Sequence, residues 1–142
     1  AILLPQRADL ARALRHLADL RYPLQGAADH WVSEALYLAD PDGNGIEIYA
    51  DRPRDAWPRR NGQLQMATDP LNVEGLLAES ERGARPWAGP PPRASIGHIH
   101  LHVADLHQAE AFYGGVLGFD LVMRYGPSAL FMSAGGYHHL SG

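Results

Sequence analysis

Cysteine and lysine are both absent from the 142 residues. Without thiols there are no disulfides, no thiolate zinc sites and no cysteine nucleophile, and the redox compartment stays unmarked. Without lysine, all 12 basic side chains are arginine. Alongside abundant Ala, Gly and Pro, this reads as compositional bias rather than selection for bidentate recognition. Positive charge is scarce as well: 16 acidic residues leave a net charge of -4, which argues against a nucleic-acid partner. No apolar run approaches the roughly 20 residues of a membrane span, so no membrane partner is expected. A Gly-rich phosphate loop and a Gly-x-Ser-x-Gly elbow are missing, so phosphate cradling and serine nucleophilic chemistry lack support.

What is present is ordinary globular material, 46% hydrophobic and 20% charged, enough to bury a sizeable core without staples. Ala1-Ile2-Leu3-Leu4 reads as a strand, and the chain reads as a fragment entered inside it. Asp9 is the expected cap of a helix carrying Leu10, Leu14 and Leu17 on one face and ending near Arg21-Tyr22, before Pro23. Strands are expected at Glu34 to Ala39 and Ile46 to Tyr49, joined by the turn-rich Asp40-Pro41-Asp42-Gly43-Asn44-Gly45. Residues 51–60 read as irregular, and Asp69-Pro70 as the start of a short helix. The Pro- and Gly-rich residues 80–94 read as a linker between a first module, 1–79, and a second, 95–142.

The opening pattern recurs after the linker. Ile99, Leu101 and Val103 alternate with His98, His100 and His102, and Asp105 with Gln108 makes a capping-box pattern. Asp9 and Asp105 stand 96 positions apart in equivalent settings, which suggests an internally duplicated α+β architecture. Further strands are expected near Leu121 to Tyr125, Ala129 to Ser133 and Tyr137 to Leu140.

The alternating His98 to Val103 stretch is the strongest chemical feature. As a strand it places three imidazoles on one side and three aliphatics on the other, either as a metal-binding face or as an exposed polar one. Glu47 sits between two isoleucines, so it points away from the packed face or into solvent. His138-His139 forms a second imidazole pair, and His30 and Tyr37 precede the Asp-rich turn. Asp40-x-Asp42-x-Asn44 also resembles a calcium loop, but Pro41, Glu47 at the usual hydrophobic position and flanking strands count against it. His16 and His107 are expected on helix surfaces.

His98 to Val103, Ala104-Asp105-Leu106, Ala111-Phe112-Tyr113 and Val116-Leu117-Gly118-Phe119 resemble the opening βα unit of the vicinal oxygen chelate superfamily. Tyr37 through Tyr49, around the Asp-Pro-Asp-Gly turn, resembles that family's closing hairpin. Asp51-Arg52-Pro53-Arg54, Trp57-Pro58 and Ser133 through His139 are most similar to the bacterial catechol 2,3-dioxygenase-like subgroup. The resemblance implies paired βαβββ modules forming a cupped sheet around a divalent metal, Fe(II) first, with Mn, Ni or Zn as alternatives. It implies His98, seven residues before Asp105, and Glu47 as metal ligands. It further implies Tyr37, ten residues before Glu47, with His30 and one of His138 or His139, as proton-handling residues. A second histidine ligand belongs on the strand in which the chain begins. Residues 1–60 resemble a closing module and residues 95–142 an opening one. Either the chain spans two domains, or its halves pair in permuted fashion or between chains.

The expected function is extradiol ring cleavage of a small aromatic substrate in the cytoplasm. The alternatives are a glyoxalase- or isomerase-type Lewis-acid enzyme and a non-catalytic module that sequesters a small molecule. A cupin is disfavoured because the next acid, Asp105, opens a helix instead of lying on a strand. Modules with unpaired sheet edges invite association, so a homodimer is expected. Sedimentation at micromolar concentration should give a dimer; a stable monomer overturns that expectation.

Overall fold

The computed structural model describes residues 1–82 and 85–134. The chain divides into two compact units, Ile2–Ser95 and Ala1 together with Ile96–Gly142. Both helices and strands occur, so the class is α+β.

The larger unit is built on a βαβββ motif. Strand β1 (Ile2–Leu4) leads into helix α1 (Arg7–Asp19), followed by β2 (Gly26–Asp29), β3 (Ser33–Ala39) and β4 (Gly45–Asp51). β2, β3 and β4 are successively antiparallel, and β4 pairs in parallel with β1 across the helical crossover. Leu10, Ala11 and Leu14 of α1 meet Leu4, Leu36 and Ala50 of the sheet in the buried core. Period two along the strands therefore commits Leu36, Ile48 and Ala50 to the helix side. It turns Tyr37 and Glu47 to the opposite side.

Helix α1 starts earlier than expected. Gln6 takes the cap position without a side-chain bond, and Asp9 falls in the first turn, buried and paired with Arg12. The correction has a simple cause: an acid inside the first turn already complements the helix dipole, and Arg12 neutralises it three residues on. At the other end, Tyr22 N–H donates to Leu17 O and Arg21 N–H to Ala18 O, both at 2.9 Å, with Arg21 at φ +53°. This reciprocal pair ends the helix just before Pro23.

Two short pairings were not expected. β5 (Arg59–Arg60) and β6 (Gln63–Leu64) form a hairpin over Asn61 and Gly62, whose φ values are +52° and +79°. Asn-Gly is the preferred dipeptide for that turn, so a signal was present in the sequence. β7 (Asp69–Pro70) pairs with β2 and does not open a helix. At the end of the strand order Pro70 needs no ladder N–H. Helix α2 (Val73–Arg82) begins instead after Asn72, whose Oδ1 accepts the Gly75 N–H at 2.9 Å. Trp87 and Ala94, from the Pro-rich segment, pack against the core, and His16 is half-buried, stacked on Trp87 at 6.3 Å. The sixth strand of the sheet is β8 (Ser95–Ile96).

In the second unit, Asp105 caps helix α3 (Leu106–Glu110), its Oδ1 accepting Gln108 N–H at 2.8 Å. The backbone widens into a π-helical stretch, Ala111–Val116, through Gly114-Gly115. Gly118, at φ +79°, then turns the chain into the antiparallel hairpin of β9 (Asp120–Tyr125) and β10 (Ala129–Ser133). The expected strand over His98–Val103 is not seen: residues 97–103 join no ladder among the described residues, and Ile99, Leu101 and Val103 are 57%, 41% and 40% exposed. Alternation buries one face only where a second layer covers it. The strand expected near Tyr137–Leu140 lies outside the described residues. No helix among them is long and apolar enough to cross a membrane.

The Asn72 cap makes Gly75 a test of local packing. A Cβ there would meet Asn72 Nδ2 at 2.7 Å. Gly75→Ala normally favours a helix by about 1 kcal/mol, while losing an N-cap costs about 1 kcal/mol. Thermal unfolding should show little or no gain for Gly75→Ala alone, but a clear gain in an Asn72→Ala background.

Candidate active site

The β3–β4 register sets Tyr37 directly opposite Glu47. That register is held by the intervening turn. Asp40 accepts from Asp42 N–H, Asn44 N–H and Asn44 Nδ2 at 2.8–2.9 Å, and Gly43 adopts φ +84°. These donors hold the Asp40 carboxyl below its ordinary range, led by the Asn44 side chain. The acid-rich loop is thus a turn built on its own N–H groups, and the calcium reading finds no support.

Tyr37 is half-buried and Glu47 only 9% exposed. The Tyr37 Oη lies 3.4 Å from Glu47 Oε1 and 2.6 Å from His30 Nε2. Burial first, and then the Glu47 charge and hydrogen bond, push the Tyr37 pKa above its usual value. His30 Nδ1 lies 2.7 Å from the Ala67 carbonyl, which only accepts. Nδ1 therefore carries the proton in the neutral ring, Nε2 presents a lone pair, and the Tyr37 hydroxyl donates to it.

His30 opens a tight loop. Its N–H donates to Ser33 O at 2.9 Å, leaving Trp31 and Val32 as the two central residues. Trp31 has φ +68°, a position glycine usually fills and one that costs a bulky L-residue about 1–2 kcal/mol. Its N–H donates to Asp29 Oδ1 at 2.8 Å and its indole Nε1 to Asp69 Oδ2 at 2.7 Å. Arg52 grips Asp29 through two nitrogens at 2.5 and 2.8 Å. Arg52 also approaches Glu34 at 3.5 Å, and Arg7 binds Glu34 at 2.5 Å and Glu79 at 2.6 Å. The 5%-exposed Glu34 is thereby flanked by two guanidinium groups. None of Asp29, Arg52, Trp31 or Asp69 was singled out from sequence for this role, because no local pattern marks them.

In the second unit, His98 is 7% exposed and its carbonyl accepts the Ala1 amino group at 2.7 Å. The His98 and His100 rings stand 5.0 Å apart, while the His100 and His102 side chains are exposed. An open cavity of about 970 Å³ is lined by His100, His102, Tyr113, Phe119, Arg124 and Met132, among others. Arg124 is fixed there by Glu110 at 2.6 Å. His138 and His139 lie outside the described residues, and exposed His107 stays on its helix as expected.

Residues 95–141 match the Glyoxalase/Bleomycin resistance protein/Dioxygenase superfamily. Over 141 residues, 98% of this chain, the sequence is 57% identical to "Catechol-2,3-dioxygenase" of Bacillus subtilis (strain 168). The chain belongs to this superfamily. It spans about half the length of that relative, 48%. For this superfamily member, the family resemblance pointed to His30, Tyr37 and Glu47, and the structure brings those three together within one unit.

The Arg52 hydrogen bonds hold the Asp29 carboxyl below its usual range, outweighing its desolvation. A lowered folded-state pKa gives stability that is present above the unfolded value, near pH 4, and is lost as pH falls through the folded value. Asp29→Asn should lower the unfolding temperature at neutral pH and flatten its decline between roughly pH 5 and pH 2. An acid limb identical to that of the parent protein overturns this.

Proposed function

We propose that this chain forms part of a metal-dependent extradiol ring-cleaving oxygenase, catechol 2,3-dioxygenase-like, acting on a small aromatic diol. The observation that carries the reading is the His30–Tyr37–Glu47 arrangement, a proton acceptor and a hydroxyl beside a nearly buried carboxylate. The 57% identity to a protein named Catechol-2,3-dioxygenase supports the same chemistry.

In this reading Glu47 and His98 each serve as a ligand to divalent metal, Fe(II) in the first instance, in one shared site or in two. The donor types fit such an ion: one carboxylate and imidazole nitrogen suit first-row divalent metals with open positions. Burying a carboxylate is costly unless a cation or hydrogen-bond donors offset it, and Glu47 is only 9% exposed. When bound, the metal supplies Lewis-acid polarisation of the substrate hydroxyl and one-electron chemistry toward O₂.

The protein's own groups handle protons. Neutral His30 accepts at Nε2, so a proton leaving a substrate hydroxyl through Tyr37 Oη has a defined destination. The Ala67 carbonyl stabilises the imidazolium that results, because Nδ1–H already points at it. The half-buried setting of Tyr37 limits competing exchange with water. One of His138 or His139 serves as a further proton-handling residue, and the assembly is a homodimer.

The full-length protein loaded with Fe(II) should turn catechols into a yellow ring-cleavage product with uptake of O₂. No product from any catechol overturns the reading. Ni or Zn content without O₂ uptake would instead favour an isomerase, and a metal-free but ligand-stabilised protein would favour sequestration. Tyr37→Phe should retain metal and lower kcat by about 100-fold or more. Glu47→Ala and His98→Ala should each lose most of the metal while remaining folded; unchanged metal content removes them as ligands.

A further inference from the structure

The His30 ring is bounded on both nitrogens, and one strained residue ties together the two segments that bound it. On one side, the β2–β3 loop carries His30 and Trp31. On the other, residues 67–70 provide the Ala67 carbonyl and the Asp69 carboxylate. Backbone links between these segments are few. Ala67 N–H reaches His30 O at 3.4 Å, and β7 is two residues long. One of those two is Pro70, which has no N–H to donate. The indole of Trp31, bonded to Asp69 at 2.7 Å, joins the segments through side chains alone, beside the 2.7 Å contact of His30 Nδ1 with the Ala67 carbonyl.

The backbone of Trp31 points the same way. A positive φ at a large aromatic residue persists only where the surroundings over-determine it. Here the constraint comes from two carboxylates. Asp29, itself gripped by Arg52, accepts the Trp31 N–H at 2.8 Å, and Asp69 accepts its indole. Packing of the indole does not account for the strain, since the side chain is 43% exposed. What the strained geometry does secure is the position of its neighbour, His30, between Ala67 O at 2.7 Å and Tyr37 Oη at 2.6 Å.

We propose that Trp31 is a positioning residue: its indole bond to Asp69 draws residues 67–69 against the β2–β3 loop and thereby fixes His30 as the Nδ1–H tautomer with Nε2 facing Tyr37. The catalytic consequence rests on the proposed ring-cleaving function, whereas the tautomer consequence does not. Loss of the indole donor releases the Ala67 carbonyl from Nδ1. The ring then samples both tautomers, and the one with Nε2–H cannot accept from Tyr37.

The test uses the full-length protein with its histidine ring nitrogens labelled with ¹⁵N, the His30 signals being assigned by their loss in His30→Gln. Spectra are recorded on the iron-free protein, and kcat and KM for catechol on the Fe(II)-loaded one. Trp31→Phe keeps an aromatic ring but removes the donor, and Asp69→Leu removes the acceptor. Both should move His30 from a pure Nδ1–H signature to a mixed one and lower kcat about 10-fold or more, with KM changed much less. Asp69→Asn keeps an acceptor oxygen and should retain the parent signature and kcat. The proposal fails if His30 stays purely Nδ1–H in both Trp31→Phe and Asp69→Leu. It also fails if Asp69→Asn behaves like Asp69→Leu. If the tautomer shifts as expected but no variant, nor the parent, cleaves a catechol, the positioning role stands and the ring-cleaving function falls.

Discussion

The pairing of Tyr37 with Glu47 across β3 and β4 is the constraint on which the candidate site depends. A strand's side chains alternate with a period of two, so a slip of one residue would carry Tyr37 or Glu47 to the helix-covered side. Two features oppose that slip. Leu36 and Ala50 are locked into the core against α1, and Asp40 organises the connecting turn through three N–H donors. The apolar face and the turn therefore specify the same register, and the polar pair on the other face follows from them. The carboxylate and the phenol meet as a by-product of burying leucine, isoleucine and alanine on the side they do not face.

Charge is handled differently on the two sides of this sheet. On the helix side, Glu34 is buried between Arg7 and Arg52, and Asp29 and Glu79 complete a chain of alternating sign. Every carboxylate in that chain has a guanidinium partner, so burial costs little and the loops at that end of the sheet are cross-braced. On the other side Glu47 meets a phenol, whose proton burial and the adjacent charge make harder to remove. Arg52 joins the two regions, because the Asp29 it grips also receives the backbone of Trp31, next to His30.

The second unit presents much apolar surface. Ile96, Val116 and Tyr125 are 73%, 72% and 68% exposed among its described residues. Its ordered features are local ones: the Asp105 cap, the π-helical widening at Gly114-Gly115 and a bulged hairpin. Such elements form from short-range signals and need no distant partner. The histidine-rich stretch has no such local support, and it is the part that departs furthest from its sequence pattern.

The sequence by itself determined the elements whose causes lie within a few residues. These are the β3–β4 hairpin around Asp40 to Gly45, the capping of α3 by Asp105, the end of α1 before Pro23, and the α+β class that they compose. Alternation alone put Tyr37 and Glu47 on faces opposite their aliphatic neighbours, and the family resemblance added His30. Tertiary structure decided the rest. Asp69-Pro70 matches a helix start, yet it is a strand because β2 offers it a partner. His98 to Val103 alternates like a strand, yet no ladder engages it among the described residues. The proton on His30 is assigned by Ala67, 37 residues away, and the strain at Trp31 is held by Asp69, 38 residues away. Periodicity reports which way a side chain would face if its strand formed. Whether a segment finds hydrogen-bond partners, and which nitrogen of a ring keeps its hydrogen, depends on groups that only folding brings within 3 Å.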